Sequence, residues 1–136
     1  MKLAIAAAAF LMAGPALSQD LTLNLTARTP GGSLAIAVYR DAEAFRRGEG
    51  AVATRTVPRT GLTTTVVIAG LAPGRYAVAA FHDLDANGEL TLWPIGLPRE
   101  AYGFSRDARG RFGPPPFAAA AFALPPSGAA QAFTLR

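Results

Sequence analysis

From residue 21 the chain alternates between apolar and polar positions. Leu21, Leu23 and Leu25 stand between Thr22, Asn24 and Thr26, a period of two that predicts a half-buried strand. Thr29-Pro30-Gly31-Gly32 breaks the pattern, and Ser33 to Arg40 resumes it with Leu34, Ile36 and Val38 on one side, so the two segments are expected to pair as a hairpin. Asp41 to Gly48 opens with a good N-cap residue and closes with a glycine, which suits one or two helical turns. Ala51–Val57 and Leu62–Ile68 are rich in Thr and Val and read as short strands, with Pro58 favouring a strand end. Gly70 to Gly74 reads as a turn. Arg75 to His82 is a further strand, and Ala120–Leu124 and Gln131–Leu135, separated by Pro125-Pro126-Ser127-Gly128, are the last two. About seven short strands without a long helix predict an all-β fold, a single antiparallel sandwich of the prealbumin-like or immunoglobulin-like kind.

One stretch has no period. Residues 83–118 hold Pro94, Gly96, Pro98, Gly103, Gly110, Gly113 and Pro114-Pro115-Pro116, together with Trp93, Tyr102, Phe104, Phe112 and Phe117. Long loops in compact domains are usually functional or disordered, and this many aromatics argues against disorder. The expectation is an ordered loop after the fifth strand, folded over one end of the sandwich.

The first 18 residues have the layout of a signal peptide: a basic start at Lys2, an apolar run from Leu3 to Ala13, and small residues at Ala16 and Ser18. A run this short does not span a bilayer as a helix, which takes roughly 20 residues. The reading is a cleaved segment 1–18 and one domain over 19–136, periplasmic or secreted, without membrane insertion. No cysteine occurs, so disulfides and lipid attachment through cysteine are excluded. Beyond Lys2 every basic residue is an arginine, scattered instead of clustered, which argues against nucleic acid as a partner.

Candidate chemistry begins where the fifth strand ends. In His82-Asp83-Leu84-Asp85-Ala86-Asn87-Gly88-Glu89-Leu90, the oxygens of Asp83, Asp85 and Asn87 alternate, Gly88 permits a bend and Glu89 offers a carbonyl. Calcium loops place their first four ligands in this way. The twelfth position is Pro94 where such loops carry a bidentate glutamate, so a helix–loop–helix site is not supported, and Glu100 or Asp107 would have to complete the shell. The competing reading is a set of tight turns closed by Asp and Asn side chains. His82 is the only histidine; beside two carboxylates it suits a strand-end contact or a base, and alone it does not build a zinc site. Ser105 lacks the strand–elbow–helix setting of a nucleophilic serine and reads as a turn hydroxyl. Trp93, Tyr102 and Phe104, next to Arg99 and Arg106, make either a platform for a sugar ring or peptide or a hydrophobic plug.

Taken together, Val38-Tyr39 with Phe45, Gly70 to Val78, Phe81-His82-Asp83 through Leu90, and Ile95 to Ser105 with its Tyr102-Gly103-Phe104-Ser105 resemble the bacterial family called domain of unknown function 2141. The resemblance covers nearly all of the chain beyond residue 18. It implies an exported protein with a sandwich in the style of prealbumin-like and carboxypeptidase-regulatory domains, and it brings no enzymatic activity. Ala86 and Thr91 stand where the family usually has further acidic or amide side chains, which weakens metal binding here.

The functional expectation is an exported binding or accessory domain for a small molecule, glycan or envelope protein. Its ligand-binding residues would be His82, Trp93, Arg99, Glu100, Tyr102 and Phe104, with calcium as a structural ion on Asp83, Asp85, Asn87 and Glu89. The alternatives are a metal-assisted hydrolase using His82 with Asp83 or Glu100, and a structural module of a cell-envelope assembly.

Overall fold

The computed structural model describes residues 19–84, 100–111 and 113–136. In chain order the elements are β1 (Gln19–Ala27), β2 (Ser33–Tyr39), α1 (Ala42–Arg47), β3 (Ala53–Pro58), β4 (Thr63–Leu71), β5 (Gly74–Asp83), β6 (Tyr102–Phe104), a 3-10 turn (Ser105–Asp107), α2 (Phe117–Ala120), β7 (Phe122–Leu124) and β8 (Ala129–Leu135). They form two sheets packed face to face, an all-β sandwich. The first has the order β4-β1-β8; the second runs β3-β2-β5-β6, with β7 also pairing β5.

The alternation seen in the sequence decides which side chains meet. Leu21, Leu23 and Leu25 of β1 face inward with Val66 and Ile68 of β4 and Phe133 and Leu135 of β8, against Leu34, Ile36, Val38, Tyr76 and Val78 of the second sheet. Each such side chain, fully buried, contributes about 1.5–3 kcal/mol from its removal from water. The cap residues of α1 act as their types predict. Asp41 Oδ1 accepts the Ala44 amide at 2.8 Å, and Gly48, at φ 70°, donates its amide back to Ala44 and Phe45 carbonyls.

Three expectations change. β1 and β2 are not a hairpin: β1 pairs with β4 and β8, β2 with β3 and β5. Both strands have one apolar row, and stacking the rows face to face buries them against each other, which a side-by-side pairing does not. Gly31 and Gly32, at φ 84° and 71°, arch the chain between the sheets. The sandwich is also not wholly antiparallel, because β8 lies parallel to β1. Finally, the described part of the segment read as loop holds β6, the 3-10 turn and the start of α2, so the described residues form eight strands; the order expected of 85–99 lies outside the described residues.

Two details of this segment hold the sandwich shut along one side. Tyr102 and Arg136 exchange backbone hydrogen bonds at 3.0 and 2.9 Å, and Asp107 Oδ1 accepts the Thr134 amide at 3.1 Å. Gly103 permits this seam, since a Cβ there would lie 2.5 Å from the Thr134 carbonyl oxygen. Ser105, fully buried, fills the gap between β6 and β7 along β5: its Oγ accepts the Val78 amide at 2.9 Å and donates to the Ala120 carbonyl at 2.7 Å. Ser105 therefore splices two short strands into one edge, more than the turn role its sequence context indicates. On the opposite side β3 and β4 are the two outer strands.

Candidate functional site

The outer face of the second sheet is divided. One part is covered by α1 and α2, where Phe45 meets Tyr39, Phe104 and Phe117 edge-on at 5.6, 5.8 and 5.9 Å between ring centroids. Ala44, Ala77 and Ala120 complete this second small core. Next to it lies an open groove of about 340 Å³.

The strand register explains the groove. Two cross-strand rows run over the face, Thr56–Ala35–Phe81–Tyr102 and Thr54–Ala37–Ala79–Phe104. Ala35, Ala37 and Ala79 line the groove from the middle strands, while Phe81, Tyr102 and Phe104 stand on one flank and Thr54 and Thr56 on the other. A methyl group projects far less than an aromatic ring, so the alanines form a floor and the rings a wall. The wall is stiffened by the edge-on contact of Tyr102 with Phe104 at 5.8 Å, and by the Arg109 guanidinium 5.3 Å from the centre of the Tyr102 ring. Tyr39 closes the covered end, and burial pushes its phenol above the ordinary tyrosine pKa.

Beyond the other end lies an acidic corner. Ser33 pairs with Asp83 in the β2–β5 register, and the ladder between β5 and β6 continues past Tyr102 through a His82 amide to Ala101 carbonyl bond of 2.8 Å. The same register sets Glu100 across from Asp83, on the groove side of the sheet and about 7 Å along from the Phe81–Tyr102 row. Both carboxylates are buried and both are partnered; Glu100 Oε2 accepts the Leu84 amide at 2.9 Å.

His82 turns the other way. It follows Tyr76, Val78 and Ala80 onto the inner face, pairs with Leu34 and is 1% exposed. Its Nε2 lies 2.6 Å from the Gly31 carbonyl oxygen. A carbonyl only accepts, so Nε2 carries the proton and donates, and the ring pins the arch between β1 and β2. Gly32 packs on the same spot: a Cβ there would come within 2.8 Å of the Asp83 carbonyl oxygen and 3.2 Å of His82 Nε2.

Of the residues singled out from the sequence, Tyr102 and Phe104 line the groove, and Asp83 and Glu100 lie buried beyond its end, with Glu100 bonded to the amide that follows Asp83. His82 lies on the opposite face of the sheet. Asp107 bonds to β8 and not to the acidic corner. Asp85, Asn87, Glu89, Trp93 and Arg99 lie outside the described residues. Among the described residues no group of three or more His, Cys, Asp or Glu side chains is arranged to hold a metal ion, and no helix is long and apolar enough to cross a membrane. Sequence reasoning passed over Ala35, Ala37, Ala79 and Phe81. The signal was present: in the middle of Ser33–Tyr39 and of Arg75–Asp83 the positions opposite the core row are alanine, at Ala35, Ala37, Ala77 and Ala79, where a solvent-facing strand would carry polar side chains.

A family model described as an uncharacterised protein conserved in bacteria, DUF2141, matches residues 26–132. No curated protein and no solved structure matches the chain.

Proposed function

The chain belongs to the uncharacterised bacterial family DUF2141, and from that premise we propose that it is an exported binding domain whose groove takes a compact, largely apolar, planar group. The observation that carries this reading is the alanine floor of Ala35, Ala37 and Ala79 beside Phe81, Tyr102 and Phe104. Methyls below and ring edges beside favour a flat ring, and the Thr54, Thr56 and Tyr102 hydroxyls offer a few polar contacts at the rim. At about 340 Å³ the groove falls at the small end of ligand sites, roughly 300–1,000 Å³. Sugars, which need polar partners on most of their edges, fit it less well than an aromatic or alicyclic group. Export rests on the basic, apolar and small-residue pattern of the first 18 residues.

The test uses N-phenyl-1-naphthylamine, an uncharged fused-ring dye that brightens in apolar sites. Saturable brightening in the parent protein, lost in Ala79→Leu and Ala37→Leu variants of unchanged melting temperature, is the expected result. Equal brightening in the filled variants, or none in the parent, overturns the reading.

Calcium at the acidic corner remains part of the proposal as a structural ion. Asp83 and Glu100 supply opposed carboxylates there, and the alternating oxygens of Asp85, Asn87 and Glu89 follow directly in sequence. Binding at about 10⁻⁴–10⁻³ M would stabilise the fold by roughly 1.4–2.7 kcal/mol in 10 mM calcium. The expected outcome is a raised melting temperature that Asp83→Asn abolishes; no shift in the parent protein overturns it. The hydrolase alternative gains no support from the geometry, because adjacent strand positions send His82 and Asp83 to opposite faces of the sheet.

A further inference from the structure

We propose that the outer edge of β4 pairs with the same edge of a second copy of this chain, forming a two-fold dimer with a continuous six-stranded sheet. β4 ends the order of its sheet, and among the described residues no strand pairs with its other side. An edge strand presents a row of backbone N–H and C=O groups that call for another strand, and proteins normally guard such edges with charge, proline or a bulge. The two outer strands of this sandwich differ in that respect. β3 carries Arg55 and ends in Pro58, which lacks an N–H. β4 reads Thr63-Thr64-Thr65-Val66-Val67-Ile68-Ala69-Gly70-Leu71, with neither charge nor proline over nine residues; its one irregularity is a bulge at Ala69–Gly70, where the register with β1 shifts, which leaves Thr63–Ile68 in regular pairing. It is also the strand richest in β-branched side chains, the types that favour pleated pairing. Val67 is 52% exposed on it, and Leu62, just ahead of it, is 59% exposed.

The occupant follows from charge and register. A strand with charged side chains finds no counter-charge along β4, whereas β4 itself meets only Thr, Val, Ile and Ala. Antiparallel pairing about a two-fold axis at Val66 sets Thr63 against Ala69, Thr64 against Ile68 and Thr65 against Val67 of the second copy. Every pair keeps like with like across the pleat: the inward row of Thr64, Val66 and Ile68 extends the core, and the outward row of Thr63, Thr65, Val67 and Ala69 stays uncharged. Such an interface is isologous and closed, the commonest arrangement among homo-oligomers.

Sedimentation equilibrium of the purified protein between about 1 and 100 µM tests this. The expected mass is twice that of the chain, halved in Val67→Lys, with the melting profile of the separated protomer remaining cooperative. The register makes a sharper demand, since residue 65 of one copy faces residue 67 of the other. Thr65→Glu combined with Val67→Lys restores the doubled mass through two Glu–Lys pairs across the axis. A parent protein of single-chain mass throughout the range overturns the proposal. So does a dimer indifferent to Val67→Lys, which would place the interface elsewhere.

Discussion

Ser105→Ala is the substitution whose cost the fold states most directly. The hydroxyl is fully buried and links the ends of β6 and β7 along β5, beside a longer bond of 3.4 Å from the Arg106 guanidinium to the Ala121 carbonyl. Removing one oxygen leaves the Val78 amide, now bonded at 2.9 Å, and the Ala120 carbonyl, bonded at 2.7 Å, without that partner. An orphaned buried donor or acceptor costs about 1–3 kcal/mol, so the pair amounts to roughly 2–4 kcal/mol after allowance for local relaxation. The volume removed is too small to add a large cavity contribution. In a domain of this size each kcal/mol moves the melting temperature by about 3–5 °C, so a fall of roughly 6–20 °C is expected. Urea unfolding followed by far-ultraviolet circular dichroism and by intrinsic fluorescence measures it, with the exposed-turn variant Ser127→Ala, expected within about 0.5 kcal/mol, as the reference. If Ser105→Ala also stays within about 0.5 kcal/mol, the splice is not what joins the two strands and the account of this edge fails.

The remaining expectations concern the arch and the groove. Gly32→Ala meets both a left-handed backbone at φ 71° and the Asp83 carbonyl at 2.8 Å, whereas Gly48→Ala meets φ 70° in open space. The first is expected to cost about 2–4 kcal/mol and the second about 1–2 kcal/mol in the same unfolding assay; equal costs refute the close approach. Because burial holds the Tyr39 phenol above its ordinary pKa, its contribution is complete below the unfolded value of about 10 and is lost as pH rises through the higher folded value. Stability measured between pH 8 and 11 is thus expected to fall at the alkaline end, less steeply in Tyr39→Phe; identical profiles contradict the assignment.

The sequence made the sandwich legible because its strands are half-buried and follow the period of two. Leu21-Leu23-Leu25 and Leu34-Ile36-Val38 announce an inner row wherever they end up in the sheets. Periodicity fixes which side of a strand is buried but not which strand lies beside it, so the β1–β2 arch was indistinguishable from a hairpin, and the parallel β1–β8 pair could not be read. β6 was hidden for another reason: three residues with a glycine in the middle show no period, and the need for Gly103 arises from β8, far along the chain. At the site, Asp83, Glu100, Tyr102 and Phe104 were legible as chemistry-bearing residues beside an acidic turn. The groove floor was not, because alanine reads as filler until the register sets Ala35, Ala37 and Ala79 side by side among rings. His82 drew notice for its charge neighbours, yet strand alternation turns it inward to hold the Gly31 carbonyl.

The central claim is that this alanine floor is a binding surface. Selective ¹³C labelling of alanine methyls gives separate signals for Ala35, Ala37 and Ala79 and for the buried Ala27 and Ala121, which lie off the groove. Titration with N-phenyl-1-naphthylamine should shift the three floor methyls together and saturably while the Ala27 and Ala121 signals stay in place. Shifts confined to other methyls, or spread evenly over all of them, would contradict the account.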